Sequence, residues 1–211
     1  MPKSHNRVGK NINEQLGMKK LLFMMIMAIL ISSVSFGQDF KKFKVGIGLG
    51  YALSSGEGSA GGVLITIEPA YRLSDNLSLG LRLESAALTR GYSGTLQPGT
   101  TLSVAAIGSA TVNGQYYFST NKFRPFVGAG FGMYQLADVT ATSSGSTVGT
   151  VLGESVMGFY PRVGFDMGHF NMALDYNILP GSKPAGSTTS DVINNSYIGI
   201  RIGAFIGGGT K

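Results

Sequence analysis

From Phe43 onward the chain alternates with a period of two. Val45, Ile47, Leu49, Tyr51 and Leu53 fall on one phase, and Lys44, Gly46, Gly48, Gly50 and Ala52 on the other. Side chains of a strand point to opposite faces in turn, so this pattern predicts a strand with one greasy face and one small or polar face. The same alternation sets Val63, Ile65, Ile67 and Tyr71 against Thr66, Glu68 and Arg72, and Leu77, Leu79, Leu81 and Leu83 against Ser78, Arg82 and Glu84. Five further segments, at about 102–118, 125–137, 154–167, 170–179 and 193–206, complete a predicted set of eight strands. Most exceed the ~5–6 residues usual in soluble sheets and suit a tilted bilayer crossing, for which ~9–11 residues suffice.

The connections alternate in size. Ser74-Asp75-Asn76, Ser119 to Arg124 and Gly168-His169 are short, whereas 55–62, 91–101, 138–153 and 180–192 are long and rich in Gly, Ser and Thr. Three short turns and four long loops are what eight up-and-down antiparallel strands require, and short periplasmic turns with longer external loops are the outer-membrane arrangement.

The mid-strand charges decide which face is inside. Glu68, Arg72, Arg82, Glu84, Arg162, Asp166, Asp175 and Arg201 all share the phase of the glycines. A soluble, lipocalin-like barrel with this face inward would bury four acids and four bases, at several kcal/mol of desolvation per ion that only very good pairing offsets. In a membrane the same polarity is favourable, since the apolar phase meets lipid and the ions pair in the lumen. An arginine on the lipid face at the bilayer midplane would cost ~2–4 kcal/mol, so the absence of charge from the apolar phase is informative. Tyr71, Phe118, Phe165 and Phe170 fall on that phase near the turn ends, as an aromatic girdle would. Gly128, Gly130 and Gly132 share one face of 125–137, and Phe205 opposes the phase of Ile198, Ile200 and Ile202, so the pattern leaves Phe126 and Phe205 unoriented.

Composition agrees with an apolar solvent: of 211 residues, 32 are glycine, 43% are apolar and only 13% are charged. The chain carries 17 Lys and Arg against 11 Asp and Glu, a net charge of +6. Lys3, Arg7, Lys10, Lys19, Lys20 and the single acid Glu14 precede Gly37, which leaves only +2 on the remainder and argues against a nucleic-acid partner. The same region supplies an address. Lys19-Lys20, the apolar run Leu21 to Ile31 and the small residues Ser35 and Gly37 read as a secretory signal peptide cleaved near Gly37/Gln38. The run is well short of the ~20 residues of a transmembrane helix. Met18, directly before the lysine pair, is a candidate translation start. The expected division is thus 1–37 signal peptide and 38–211 barrel domain.

The segment Lys44-Val45-Gly46-Ile47-Gly48-Leu49-Gly50-Tyr51, the ending Tyr197-Ile198-Gly199-Ile200-Arg201-Ile202-Gly203-Ala204-Phe205 and the signal peptide together resemble the small outer-membrane β-barrels of the OmpX/OmpW kind. The resemblance covers the whole mature chain and is one of pattern. It implies an eight-stranded antiparallel up-and-down transmembrane barrel in the bacterial outer membrane, both termini in the periplasm, inserted by the barrel-insertion machinery.

No catalytic or cofactor motif stands out. Gly46-x-Gly48-x-Gly50 and Gly128-x-Gly130-x-Gly132 are not a G-x-G-x-x-G opening a helix, and read as strand glycines. Without cysteine there is no thiolate metal site, and His169, in a short turn, supports neither a multi-histidine metal site nor a serine–histidine pair on the loop side. Loop serines such as Ser143, Ser144 and Ser187 read as solvated. The expected protein is therefore non-enzymatic, without cofactor or metal. Its eight lumen charges form a balanced network that plugs the barrel, and its four loops meet lipopolysaccharide, outer-membrane lipid or surface partners. The alternative is a narrow porin for small or hydrophobic solutes.

Overall fold

Alternating apolar residues make the wall of the barrel. A computed structural model of the chain describes residues 40–92, 100–102, 104–137, 139–143, 146–151, 153–183 and 192–208, all within the unit Asp39–Lys211. The signal-peptide reading of 1–37, its cleavage site and the candidate start Met18 lie outside the described residues, as do Ser144 and Ser187.

Eight strands form the barrel: β1 (Phe43–Ser54), β2 (Gly62–Arg72), β3 (Leu77–Leu88), β4 (Ala105–Tyr117), β5 (Phe123–Leu136), β6 (Glu154–Met167), β7 (Phe170–Asn177) and β8 (Tyr197–Gly207). Each pairs antiparallel with its neighbours in sequence, and β1 pairs with β8 from Lys44↔Gly207 to Ser54↔Tyr197, which closes the ring. A closed ring leaves no unpaired strand edge, the condition for a sheet to cross a bilayer. Pro69 has no amide to donate, and the β2–β3 ladder is interrupted there, its pairs running to Ile67↔Leu83 and resuming at Ala70↔Gly80.

The turns match their sequences. Leu73 and Ser74 donate to the Leu77 carbonyl at 2.9 and 3.2 Å, and the Ser74 hydroxyl accepts from the Leu77 amide at 3.0 Å. Gly168 adopts φ +62°, a left-handed conformation that glycine reaches without penalty, in the two-residue turn between Met167 and Phe170.

The loops contain more structure than their composition suggests. Residues 139–143 and 146–151 pair as a two-stranded ribbon that 100–102 joins, and Gly91–Tyr92 pairs with Ile193–Asn194. Loops 91–101 and 138–153 are thus partly β, because their Thr and Val residues favour extended backbone despite the interspersed Gly and Ser. Ile193–Asn194, expected within the last strand, belongs to this outer pairing instead.

Polarity is inverted relative to a soluble barrel. Ile47, Leu79 and Ile200 are 54%, 47% and 38% exposed, whereas Arg82 and Arg201 are 0% and 3% exposed. Among the charged residues of the eight strands only Glu154, at the loop end of β6, is exposed. Tyr71, Phe118 and Phe170 are exposed at the turn end together with Phe43, Tyr116 and Phe123, and the Phe165 ring lies between Phe123 and Phe170, at 5.1 and 6.1 Å. The apolar exterior and aromatic belt are those of a transmembrane β-barrel.

Candidate functional site in the barrel lumen

Because every second residue of each strand points inward, the lumen is written by one phase of the sequence. Its side chains fall into three levels.

At the loop end the level is mostly apolar. Ala52, Leu64, Ala86, Leu88, Ile107, Tyr134, Leu136, Leu179 and Tyr197 form one buried cluster. Leu179 comes from the connection after β7, which folds inward: the Leu179 amide donates to the Ser196 hydroxyl at 3.0 Å, and Asn195 donates to the Pro180 carbonyl at 2.6 Å and the Ser182 hydroxyl at 2.8 Å. Arg90, fully buried, donates to the Asn195 side chain at 2.9 Å and to the Ala137 carbonyl.

The middle level is ionic. Three guanidiniums, Arg82, Arg162 and Arg201, meet three carboxylates, Glu68, Glu84 and Asp175. Arg82 donates to Asp175 at 3.0 Å, to Asn177 at 2.7 Å and to the Tyr134 hydroxyl at 3.1 Å. One Arg162 nitrogen reaches both Glu68 oxygens, at 2.7 and 2.8 Å, and Asn113 and Gln115 also donate to Glu68, at 3.2 and 2.8 Å. Arg201 pairs with Glu84 and Asp175, and the Tyr197 hydroxyl donates to Glu84. Each carboxylate thus has several charge-assisted donors, the arrangement that offsets the desolvation of buried ions. A residual cavity of about 30 Å³ is bordered by Lys44, Glu68, Gln115, Arg162 and Arg201 among others.

The turn end is aromatic and cationic. Asp166 accepts from Lys44 at 3.2 Å, from the Tyr117 hydroxyl at 3.0 Å and from Asn171 at 2.6 Å. Arg72 and Arg124 both lie over the Phe40 ring, at 4.7 and 3.9 Å from its centroid, and over Tyr117 at 5.8 and 4.3 Å. Arg124 also donates to the Ser119 carbonyl at 3.2 Å and to the Asp75 carbonyl.

All eight charges read from the sequence as lumen residues lie on the inner face, but they do not form one network. Glu68, Arg82, Glu84, Arg162, Asp175 and Arg201 interlock in the middle level, and Asp166 pairs with Lys44 below them. Arg72 is 1% exposed and its three guanidinium nitrogens have no hydrogen-bond partner among the described residues. The expected balance of four acids and four bases is also corrected, because Lys44 and Arg124 are buried as well and leave an excess of positive charge at the turn end. Both share the inward phase and could have been found by it. Lys44 is the second residue of β1, whereas the sequence reading places Arg124 in a turn that the structure ends two residues earlier, at Lys122.

Phe126 and Phe205, which the pattern left open, point inward and are 2% and 5% exposed. Glycine makes room for the first: a Cβ on Gly164 would stand 2.7 Å from the Phe126 ring. Gly130 similarly lies against Tyr160, whose ring a Cβ there would strike. Phe205 lies 4.9 Å from the Lys44 ammonium. His169 is exposed at the turn end, its ring 5.6 Å from that of Phe205. Among the described residues no group of three or more His, Asp or Glu side chains could hold a metal ion.

No family model and no curated protein matches the chain in sequence. Among solved structures it is similar to Neisserial surface protein A, with 18% identity, a TM-score of 0.48, and coverage of 78% of this chain and 96% of that one. It is also similar to the outer membrane protein OprG from Pseudomonas aeruginosa, at 14% identity and TM-score 0.47 over 81% and 98% of the two chains. A third is Ail, the attachment invasion locus protein of Yersinia pestis, at 12% identity and TM-score 0.47 over 78% and 99%. The fold itself is established by the chain's own closed register and inverted polarity, and it is an eight-stranded antiparallel transmembrane β-barrel.

Proposed function

We propose that this protein is a non-enzymatic integral barrel of the bacterial outer membrane, exported by its N-terminal signal peptide and inserted by the barrel-insertion machinery. The turns and both termini face the periplasm. The barrel is an anchor whose lumen is closed by side chains, and the loops at 55–62, 91–101, 138–153 and 180–192 carry its surface contacts with lipopolysaccharide, lipid or neighbouring proteins.

The observation that supports a closed lumen is the stacking of the three levels. The cavity beside Lys44, Glu68, Arg162 and Arg201 measures about 30 Å³, room for one or two waters and not for a solute. Above it the Leu179 segment seals an apolar cluster, and below it Phe40 covers Arg72 and Arg124. Reorganising six interlocked ions to open a channel would leave buried charges unpaired. His169 lies at the turn end and not at the loop end, where a hydrolase on the outer surface would need it, which supports the non-enzymatic reading.

Planar-bilayer recording on purified, heat-modifiable protein tests this. The expected result is no stable conductance. Steady single-channel steps would replace the anchor with the narrow porin.

A further inference from the structure

A buried guanidinium is rarely left without acceptors, because its N–H groups lose water and gain nothing in return. Arg82, Arg162 and Arg201 meet that requirement with carboxylates; Arg72 does not. The Phe40 ring centroid lies 4.7 Å from its guanidinium carbon, a contact that engages the charge but offers no hydrogen-bond acceptor. Nε, Nη1 and Nη2 of Arg72 and Nη1 of Arg124 are all buried without a hydrogen-bond partner among the described residues. Both guanidiniums share the same Phe40 ring as a neighbour. Lys44 adds a third positive charge to this end, already engaged with Asp166 and Tyr117.

We propose that the turn end of the lumen is a binding site for a small oxyanion of the phosphate class, held by Arg72 and Arg124, with Phe40 as its lid. The planar fork of a guanidinium matches two oxygens of such an anion, which a spherical halide does not offer. One edge of Arg72 donates two hydrogen bonds to a pair of oxygens, and Nη1 of Arg124 donates to a third. The ring occupies the approach: Phe40 is 6% exposed, and its amide donates to a carboxylate oxygen of Asp75 at 3.3 Å. Its face stands in for the anion when none is bound, and the anion reaches the donors when the ring swings out. The site does not depend on whether the barrel conducts.

The test titrates inorganic phosphate into the folded full-length mature protein in detergent, at constant ionic strength set with chloride, and reads binding by calorimetry. Folding of every variant is checked by its heat-modifiable gel mobility. Saturable one-to-one binding is expected for the wild type. Phe40→Ala removes the lid and tightens it, on the order of tenfold, and Arg72→Met weakens it by about tenfold to a hundredfold, the loss expected for charge-assisted hydrogen bonds. Arg72→Lys, which keeps the charge but loses the fork, recovers only part of the affinity. Absence of saturable binding in both wild type and Phe40→Ala overturns the proposal. So does binding that Arg72→Met leaves unchanged, which would place the phosphate on exposed bases such as Lys41 and Lys42.

Discussion

The middle and the turn end of the lumen both set arginines against aromatic rings, but among the described residues only the middle gives its arginines carboxylates. In the middle, Arg82, Arg162 and Arg201 all pair with carboxylates, Arg82 while also lying 3.6 Å from the Tyr160 ring centroid; the Tyr134 hydroxyl accepts from Arg82, and Tyr197, Asn113 and Gln115 donate to the acids. At the turn end, Arg72 and Arg124 lie over the Phe40 and Tyr117 rings, the Arg72 guanidinium has no hydrogen-bond partner among the described residues, and Asp166 is engaged by other donors. Burial alone therefore says little about what an arginine contributes. Whether its donors meet a carboxylate decides whether removing it leaves an unbalanced charge behind.

The sharpest way to break this contrast is to remove a cation from each level and compare unfolding by urea in lipid vesicles. Arg82→Met removes a donor from Asp175 and Asn177 and leaves three carboxylates with two guanidiniums in the middle level, and is expected to destabilise the barrel by about 3–5 kcal/mol, the usual result of removing one member of a buried ionic set. Tyr197→Phe deletes one donor to Glu84 and keeps the ring, so a loss of about 1.5–3 kcal/mol is expected. Arg72→Met, in phosphate-free buffer, strands no carboxylate and relieves repulsion from Arg124, and should change stability by less than about 1 kcal/mol in either direction. Equal losses for Arg82→Met and Arg72→Met would abolish the distinction between the two levels.

The wall was legible in the sequence because in a barrel each residue's phase alone assigns it to lipid or lumen. Ile47, Leu79 and Ile200 needed no partner to be placed. The contents of the lumen were legible only by class. That Arg82 meets Asp175, 93 positions away, depends on the shear of eight registers, which no local pattern carries. Phe126 and Phe205 were ambiguous for the same reason, since an aromatic fits inside only where its neighbours across the sheet are small, as Gly164 is for Phe126. Tyr117, Tyr134, Tyr160 and Tyr197 lie on the inward phase, yet their hydroxyls are identifiable as lumen donors only once the ring is closed. The ribbon in 139–151 escaped because glycine and serine blur the alternation that marked the other strands.

The connectivity of the ring has a consequence for how such a chain is made. Every wall seam but one joins neighbours in sequence, so hairpins can zip up in succession with little loop entropy to overcome. The remaining seam, β1 to β8, ties together the two ends of the unit, and the bonds from Lys44 to Asp166 and from Arg201 to Glu84 reach across 122 and 117 positions. These two pairs therefore form only when the circle is nearly complete. A half-built barrel still faces water along its concave side, and closure is the step that lets the nascent wall shed that water and commit to oil.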